Sequence, residues 1–447
     1  MLMKGLVSLA LVLAFATSAR AQAGRIAFDT FTLANGLRVI ASEDHSTPVV
    51  SVDVWYNVGS RNERPSRSGF AHLFEHMMFQ GSAHVKKAEH FQLVMRAGGT
   101  MNGSTAEDRT NYFETLPSNQ LALGLWLEAD RMRSLAITQA NFENQRETVK
   151  EERRLGVDNR PYARGFFDGI TWPFDSTTCF AYAHTVIGSM DDLNAAALAD
   201  VQQFFDTYYA VNNATLVVVG DFEPAELRRL VAQYFGDLPR RPTPPAVACE
   251  SRLSSGARRH EIRDEHANLD GAFRFYRTPP HDHPDTPALD LLNVILGQGE
   301  SSRLNVSVVR RDQAAVAAAT FMNVLGPRRG PGTLTVFGIV NQGVDVQRLD
   351  TLIAAQLDSV RRHGVTADEL TKAKNSLRAS VIRSRETTLD KAEALHHYRM
   401  FHAALDEINT DLDRYLAVTG EDVRRVATTY LDPANAVVLI IRPAGAP

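Results

Sequence analysis

The chain repeats one pattern of features in its two halves, and this repeat limits the folds that it can adopt. Thr138 and Thr366 each follow an amphipathic helical pattern and open a long charged one, where threonine is a favourable N-cap. Later in each half, residues 213–219 and 435–441 begin with Asn-Ala and continue as an apolar run, which is typical of a buried strand. The repeat therefore predicts two homologous units that each combine helices with strands.

A proline-rich stretch separates the two halves. Residues 238–245 read Leu-Pro-Arg-Arg-Pro-Thr-Pro-Pro, a composition that favours an extended linker. We therefore predict an N-terminal domain over residues 22–238, a linker over residues 239–250 and a C-terminal domain over residues 251–447. A length of 447 residues alone suggests about three domains, but the internal repeat favours two.

The first 21 residues have the pattern of a secretory signal peptide. Lys4 supplies a positive charge, residues 5–17 are apolar, and Ala19-Arg20-Ala21 is typical of a cleavage site. We expect cleavage after Ala21 and an exported mature chain, with a bacterial periplasm as its location. No later apolar run reaches the length of a membrane span. An uncleaved N-terminal anchor is the alternative.

The composition excludes one class of partner and leaves the state of the cysteines open. A formal net charge of −4 with 22% charged residues gives no case for nucleic-acid binding. The chain has two cysteines, Cys179 and Cys249, which do not form a metal-binding pattern. Export permits a disulfide bond, but the separation of the two residues does not show whether they pair.

A short motif in the first half predicts a metal-binding helix. Residues 72–76 read His-Leu-Phe-Glu-His, which has the form H-x-x-E-H. In a helix, His72 and His76 lie one turn apart on one face, where their imidazoles can bind one zinc ion. Glu75 lies beside them without occupying the metal, so it is the expected general base for hydrolysis. The alternative is that two core histidines and a glutamate are adjacent by chance.

A catalytic zinc ion usually has three protein ligands, so one more residue must come from elsewhere in the chain. The charged helical segment 142–154 contains four candidate carboxylates, Glu143, Glu147, Glu151 and Glu152. Most charges in such a segment belong to a solvated helix face. The residue pattern alone does not choose among the four.

Taken in order, these motifs resemble the pitrilysin family, which includes insulin-degrading enzyme and the mitochondrial processing peptidase. In that family a glutamate in a later V-x-x-E helix completes the zinc site. Residues 149–152 match this pattern, so the resemblance implies Glu152 as the third ligand and leaves Glu151 as a lesser candidate. The family often has another glutamate two turns earlier, where this chain has Gln145. Residues 159–162 match a further family segment.

The segment that follows the motif helix also resembles the family. Residues 98–114 are similar to the pattern G-G-x-x-N-A-x-T-x-x-D-x-T-x-Y. In relatives this segment contains an edge strand that pairs with the backbone of the substrate. The resemblance implies that Asn102 and the strand to Tyr112 bind the peptide. An ordinary glycine-rich hairpin is the alternative interpretation of the same residues.

The resemblance further implies a fold and a partner. Each half is expected to be an α+β unit with a mainly antiparallel sheet and packed helices, and the two units form half of a clam-like chamber. Relatives hold the substrate with an arginine and a tyrosine that follow an S-S-R-L segment, here residues 301–304. Arg310 occupies the arginine position, but Ala317 occupies the tyrosine position. A homologous partner subunit is therefore expected to supply the clamp, and a homodimer is the alternative.

The second half lacks the metal-binding residues of the first. It contains no H-x-x-E-H motif, and extension of the repeat without gaps places Ser380 opposite Glu152. Its histidines, including His396 and His397, are expected to be surface or packing residues. We therefore predict a zinc-dependent endopeptidase subunit that binds one Zn²⁺ per chain. A non-catalytic assembly subunit and a zinc hydrolase with other substrates are the alternatives.

Overall fold

The strands form two sheets, each built from one half of the chain. The computed structural model describes residues 25–250 and 256–445, so the predicted signal peptide at residues 1–21 lies outside the described residues. Within these described ranges, no helix is both long enough and apolar enough to cross a membrane.

Six strands from the first half form the first sheet. They are β1 (Asp29–Thr32), β2 (Arg38–Glu43), β3 (Val49–Tyr56), β4 (Thr100–Thr105), β5 (Thr110–Pro117) and β6 (Ala214–Gly220). Their order in the sheet is β1-β2-β6-β3-β5-β4, so β4 lies at an edge. Strands β2 and β6 are parallel, and the other neighbours are antiparallel.

Five strands from the second half form the second sheet. They are β7 (Arg258–Asp264), β8 (Gly271–Thr278), β9 (Ala315–Met322), β10 (Gly332–Val340) and β11 (Val437–Pro443). Their order is β7-β11-β8-β10-β9, and only the pair β7 and β11 is parallel.

The two sheets repeat one topology. In both sets, β2 to β6 and β7 to β11, the first strand pairs in parallel with the last, which then pairs with the second strand. The second, fourth and third strands follow in that order toward the edge. The predicted fold class, two homologous α+β units with mainly antiparallel sheets, is therefore confirmed.

Helices pack on both sheets. In the first half they are α1 (Phe70–Met77), α2 (Glu89–Arg96), α3 (Leu121–Ser134), α4 (Gln139–Arg153), α5 (Ala163–Gly169), α6 (Met190–Ala195), α7 (Leu198–Tyr208) and α8 (Pro224–Phe235). In the second half they are α9 (Thr286–Gly297), α10 (Val346–His363), α11 (Ala367–Arg383), α12 (Thr388–Phe401), α13 (Asp411–Ala417) and α14 (Gly420–Tyr430). The hydroxyls of Thr138 and Thr366 cap α4 and α11, which confirms both predicted N-caps.

Strand β6 is buried on both faces, which explains its unbroken apolar sequence. Leu216 and Val218, on one face, belong to the core of the first half. Val217 and Val219, on the opposite face, pack against Leu395 of α12. A helix from the second half therefore covers the sheet of the first half.

A helix of the first half packs in turn on the second sheet. Helix α5 lies against β11 and its neighbours, and Phe166 packs with the core of that sheet. Gly165 and Gly169 lie one turn apart on the contact face, and a Cβ atom at Gly169 would overlap the ring of Phe275. These glycines allow a close approach of helix and sheet. Each half thus supplies one helix to the sheet of the other.

The predicted linker runs between the halves without regular structure. Residues 239–250 contain neither helix nor strand. Cys249, near the end of this segment, forms a disulfide bond with Cys179, which answers the question that the sequence left open. The backbone N–H of Glu250 also donates to the carbonyl of Thr178 at 3.1 Å. The linker is therefore fastened to the first half just before the second half begins.

Loss of this disulfide is expected to lower the stability of the chain. It joins residues 70 positions apart, and the chain entropy of such a loop corresponds to about 4 kcal/mol. The double substitution Cys179→Ser/Cys249→Ser should shift urea unfolding of the mature chain to a lower midpoint. Reductant should shift the unsubstituted chain in the same direction and leave the double variant unchanged. Equal midpoints for the two oxidised proteins would contradict a stabilising role.

Candidate metal centre

A buried carboxylate fixes the start of α1, the helix that carries the H-x-x-E-H motif. Gly69 precedes the helix with φ of 88°, a left-handed conformation that favours glycine. The two carboxylate oxygens of Glu63 accept hydrogen bonds from the backbone N–H groups of Gly69 at 2.9 Å and Ala71 at 2.7 Å. These groups have no partner inside the helix, so the carboxylate stabilises its N-terminus.

His184 holds this carboxylate from the other side. Its Nε2 lies 2.9 Å from a Glu63 oxygen, and its Nδ1 lies 2.8 Å from the carbonyl of Phe180. Burial raises the pKa of Glu63, and the hydrogen bond from His184 opposes that shift. Burial lowers the pKa of His184, but the Glu63 carboxylate outweighs it and raises the pKa overall. The sequence did not identify this pair, because 121 positions separate the two residues.

The structure brings His72, His76 and Glu152 together. One donor atom from each lies within 4.8 Å of the others. His76 Nε2 lies 3.3 Å and His72 Nε2 lies 3.7 Å from the same oxygen of Glu152. Two ligands bound at 2.0–2.2 Å to one tetrahedral zinc ion lie about 3.3 Å apart, so this donor set fits zinc. The side chain of Glu152 is 51% exposed, which leaves the cluster accessible from outside.

The surroundings of His76 favour metal binding through its Nε2. His76 Nδ1 lies 3.3 Å from Oε1 of Gln145, which can accept its proton and leave Nε2 free. Gln145 of α4 therefore contacts a predicted ligand. Burial lowers the pKa of His72 to about 4, so its neutral form, which has a lone pair for a metal, is the stable one. Burial also acts to lower the pKa of His76, but the hydrogen bond with Glu152 and the charge of Glu75 outweigh it and raise that pKa.

Glu75 lies next to the cluster in a partly buried position. Burial raises the pKa of Glu75, and its interaction with the hydroxyl of Thr105, at the end of β4, opposes the shift only in part. A carboxylate with a raised pKa beside a metal cluster is suited to accept and return a proton.

The edge strand β4 extends from this carboxylate toward the surface. It pairs with β5 on one side, with Asn102 opposite Phe113, and β5 separates it from the rest of the sheet. Asn102 is exposed, and its side-chain oxygen accepts a hydrogen bond from the Gly103 backbone N–H at 2.9 Å. The other edge of β4 is therefore positioned to pair with an extended peptide.

The structure places two of the predicted substrate-binding residues away from the metal-ligand cluster. Tyr112 is fully buried on β5 between β3 and β4, and its hydroxyl lies 3.1 Å from that of Tyr209. Because both edges of β5 are already paired, its backbone has no free edge for a peptide, and a role of Tyr112 in substrate binding stays a prediction. Arg310 forms an exposed ion pair with Glu300 at 2.6 Å and does not line the cavity beside the cluster.

That cavity has a volume of about 240 Å³ and lies between the two halves of the chain. His72, Glu152 and Thr105 form its polar end. Its apolar wall consists of Val157, Phe167, Ile170, Val186, Ile187, Val324 and Leu325. A buried ion pair between Glu107 and Arg328 joins the halves at the same wall. The cavity can therefore accept an apolar group directly beside the metal ligands.

A helix with the motif H-x-x-E-H that faces a glutamate from a second helix, on a duplicated α+β fold, defines the inverted-motif class of zinc peptidases. Residues 38–162 match the family model described as "Insulinase (Peptidase family M16)", and residues 196–377 match the model described as "Peptidase M16 inactive domain". The chain belongs to peptidase family M16.

Similar proteins share both sequence and fold with the chain. "Zinc protease PqqE" of Helicobacter pylori is 30% identical over 98% of this chain and 98% of its own length. A mitochondrial-processing peptidase subunit beta of Arabidopsis thaliana is 24% identical over 92% and 78% of the two chains. The crystal structure of a protease from Helicobacter pylori has a TM-score of 0.87 at 29% identity and covers 94% of this chain and 100% of that chain.

Substitution of Gln145 is expected to weaken zinc binding without unfolding α4. Gln145→Ala removes the acceptor that orients His76, and loss of such a partner typically weakens metal affinity about 10–100-fold. Gln145→Glu retains an acceptor and should remain close to the unsubstituted affinity. Zinc titration against a chelating indicator measures the change. Gln139→Ala, at an exposed position of the same helix, is the control, and equal affinities for all the variants would contradict the role of Gln145.

Proposed function

We propose that this chain is the zinc-dependent endopeptidase subunit of a two-subunit enzyme. The observation that carries the proposal is the position of Glu75 between the His72, His76 and Glu152 cluster and the end of the edge strand β4. A scaffold protein has no need for this combination of a metal-ligand set, an adjacent carboxylate and an accessible strand edge. The names of the similar proteins also support proteolysis with zinc.

In the proposed mechanism, His72, His76 and Glu152 hold the metal. Zinc, when bound, polarises the scissile carbonyl and increases the acidity of water. The Glu75 carboxylate accepts a proton from the attacking water and returns it to the leaving amine. Its partly buried position and its interaction with Thr105 keep it in place for both transfers. A raised pKa favours the protonated form that the second transfer requires.

Peptide binding is proposed to combine strand pairing with one apolar contact. The free edge of β4, with Asn102 exposed beside it, would pair with the peptide backbone. The cavity at the cluster would take an apolar side chain next to the scissile bond, because Phe167, Val186 and Ile187 line it. Peptides with an apolar residue at this position are therefore the proposed substrate class.

A partner subunit is proposed to complete the site. Ala317 is exposed on β9 and has no hydroxyl with which to hold a substrate carbonyl. The structure of "the periplasmic protease PqqL from Escherichia coli" has this fold, with a TM-score of 0.75, and the chain covers only 47% of that longer chain. A homologous subunit that carries the Arg/Tyr pair would supply the missing half. A homodimer is the alternative arrangement.

Export to the periplasm is part of the proposal. The pattern of residues 1–21 supports it, and the similar fold of a protease described as periplasmic is consistent with it. An oxidising compartment also agrees with the disulfide bond between Cys179 and Cys249.

Amide substitutions of Glu75 and Glu152 are expected to impair the enzyme in different ways. Glu75→Gln should lower kcat by about 100-fold or more and leave the zinc content unchanged, because only proton transfer is lost. Glu152→Gln should lower the zinc content itself, because a charged ligand is lost. Metal analysis and hydrolysis of a fluorogenic peptide by the assembled enzyme measure the two effects.

Glu151→Gln is the matched control for both variants. Glu151 is exposed, pairs with Arg154 at 2.9 Å and was the other candidate for the third ligand. Its amide variant should keep both zinc and activity. Normal turnover by Glu75→Gln would show that another group is the base, and zinc loss in Glu151→Gln alone would move the third ligand to that residue.

The chain alone is expected to bind zinc and to hydrolyse peptides far more slowly than its complex. The purified mature chain should gain activity when a homologous Arg/Tyr subunit from the same periplasm is added. Size-exclusion chromatography with light scattering reports the assembly. Full activity in a homodimer, with no gain from a second subunit, would replace the heterodimer with the alternative.

A further inference from the structure

Three histidines of the second half meet at a second place in the molecule. His281 lies between β8 and α9, His397 lies near the end of α12, and His402 follows that helix directly. Their ring centres are 5.0–5.3 Å apart. We call these three residues the histidine cluster. The sequence pattern gave His397 only a surface or packing role, because the three residues come together only in the folded chain.

The distances in the histidine cluster fit a bound metal ion. One ring nitrogen from each residue lies within 4.8 Å of the others. His397 Nε2 and His402 Nε2 are 3.3 Å apart. Two imidazole nitrogens bound to one tetrahedral zinc ion have a separation of about 3.3 Å. A hydrogen bond between the two rings would have a similar length, and the experiment below separates these cases.

One imidazole is already oriented as a ligand. His402 Nδ1 lies 3.0 Å from a carboxylate oxygen of Glu407, which can accept its proton. This arrangement leaves the lone pair on Nε2, the atom that faces His397. A carboxylate behind a ligating histidine is a common feature of metal sites, where it fixes the ring and makes its nitrogen more basic. Asp411, which pairs with Arg414, adds further negative charge within reach of His402.

The cluster also has an open side. His281 and His397 line a cavity of about 440 Å³, together with residues of both halves such as Trp55 and Arg109. Three imidazole ligands with a free fourth position are a donor set that zinc accepts, and imidazole also suits copper and nickel. A water molecule can therefore occupy the fourth position on the ion without any movement of the chain.

We propose that His281, His397 and His402 bind a second divalent cation, zinc first among them, at a site separate from the His72, His76 and Glu152 cluster. The ion joins α12, which covers the first sheet, to the loop between β8 and α9 of the second half. The same loop contacts the segment after β9, since the His281 backbone N–H donates to the Arg328 carbonyl at 2.9 Å. The site thus links α12, the helix that covers the first sheet, to the rest of the second half.

Metal stoichiometry of the full mature chain, purified without a histidine tag, tests this assignment. Apoprotein is dialysed against buffered free Zn²⁺, and zinc per chain is measured. The unsubstituted chain should bind two ions. His72→Ala/His76→Ala should bind one, His281→Asn/His402→Gln should bind one, and the four substitutions together should bind none. His266→Ala, at an exposed histidine of the second half, is the control and should bind two.

The outcomes separate this proposal from the proposed function. A single ion that disappears with His72→Ala/His76→Ala overturns the second site. A single ion that disappears only with His281→Asn/His402→Gln supports the second site and overturns the first. A second ion that survives in both double variants lies elsewhere on the chain and also overturns the proposal.

A further measurement does not depend on folding of the histidine-cluster variant. Zinc should raise the Tm of His72→Ala/His76→Ala by about 3 °C at a free concentration 100 times Kd. X-ray absorption of that variant loaded with one zinc should show three imidazole nitrogens per ion. An unchanged Tm, or a shell dominated by oxygen, overturns the assignment and leaves a hydrogen bond between His397 and His402.

Discussion

The exchange of one helix between the halves is the constraint on which the rest of the structure depends. Strand β6 lies in the middle of its sheet with both faces apolar, and its own half covers only one of them. Helix α12 covers the other face, while α5 covers the corresponding surface of the second sheet. Separation of the halves would expose both surfaces to water, at a cost proportional to the apolar area. The cavity between the halves is therefore a fixed feature of the fold.

The metal centre depends on a second constraint, the start of α1. Burial of a carboxylate such as Glu63 destabilises the fold unless each of its oxygens accepts a hydrogen bond. Two backbone N–H groups of the helix and the ring of His184 provide these hydrogen bonds. The hydrogen bonds from these N–H groups to Glu63 fix the rotation of α1 about its axis at its first residue. That rotation sets the directions in which His72 and His76 point. The ligands thus depend on residues that do not touch the metal themselves.

Local patterns in the sequence predicted the local structure. Features that depend on contacts between distant segments of the chain could not be predicted in this way. The two caps could be predicted because each depends on neighbours in the chain, whereas the two matching sheets could be predicted because the two halves repeat one pattern. The sequence did not show that Tyr112 is buried, because a strand segment does not reveal whether its two edges are already paired. Glu63 and His397 were missed because their partners lie far away in sequence, and only packing brings them together.

One segment connects the metal-ligand cluster and the histidine cluster with the contact between the two halves. Residues 324–328 lie between β9 and β10, and Leu325 lines both the cavity at the first cluster and the cavity at the histidine cluster. The side chain of Arg328 pairs with Glu107 of the first half, while its carbonyl accepts from His281. A buried ion pair is stable only when its geometry is held by its surroundings. The loop that carries His281 supplies that support, so order at the histidine cluster also maintains the apolar wall beside His72 and Glu152.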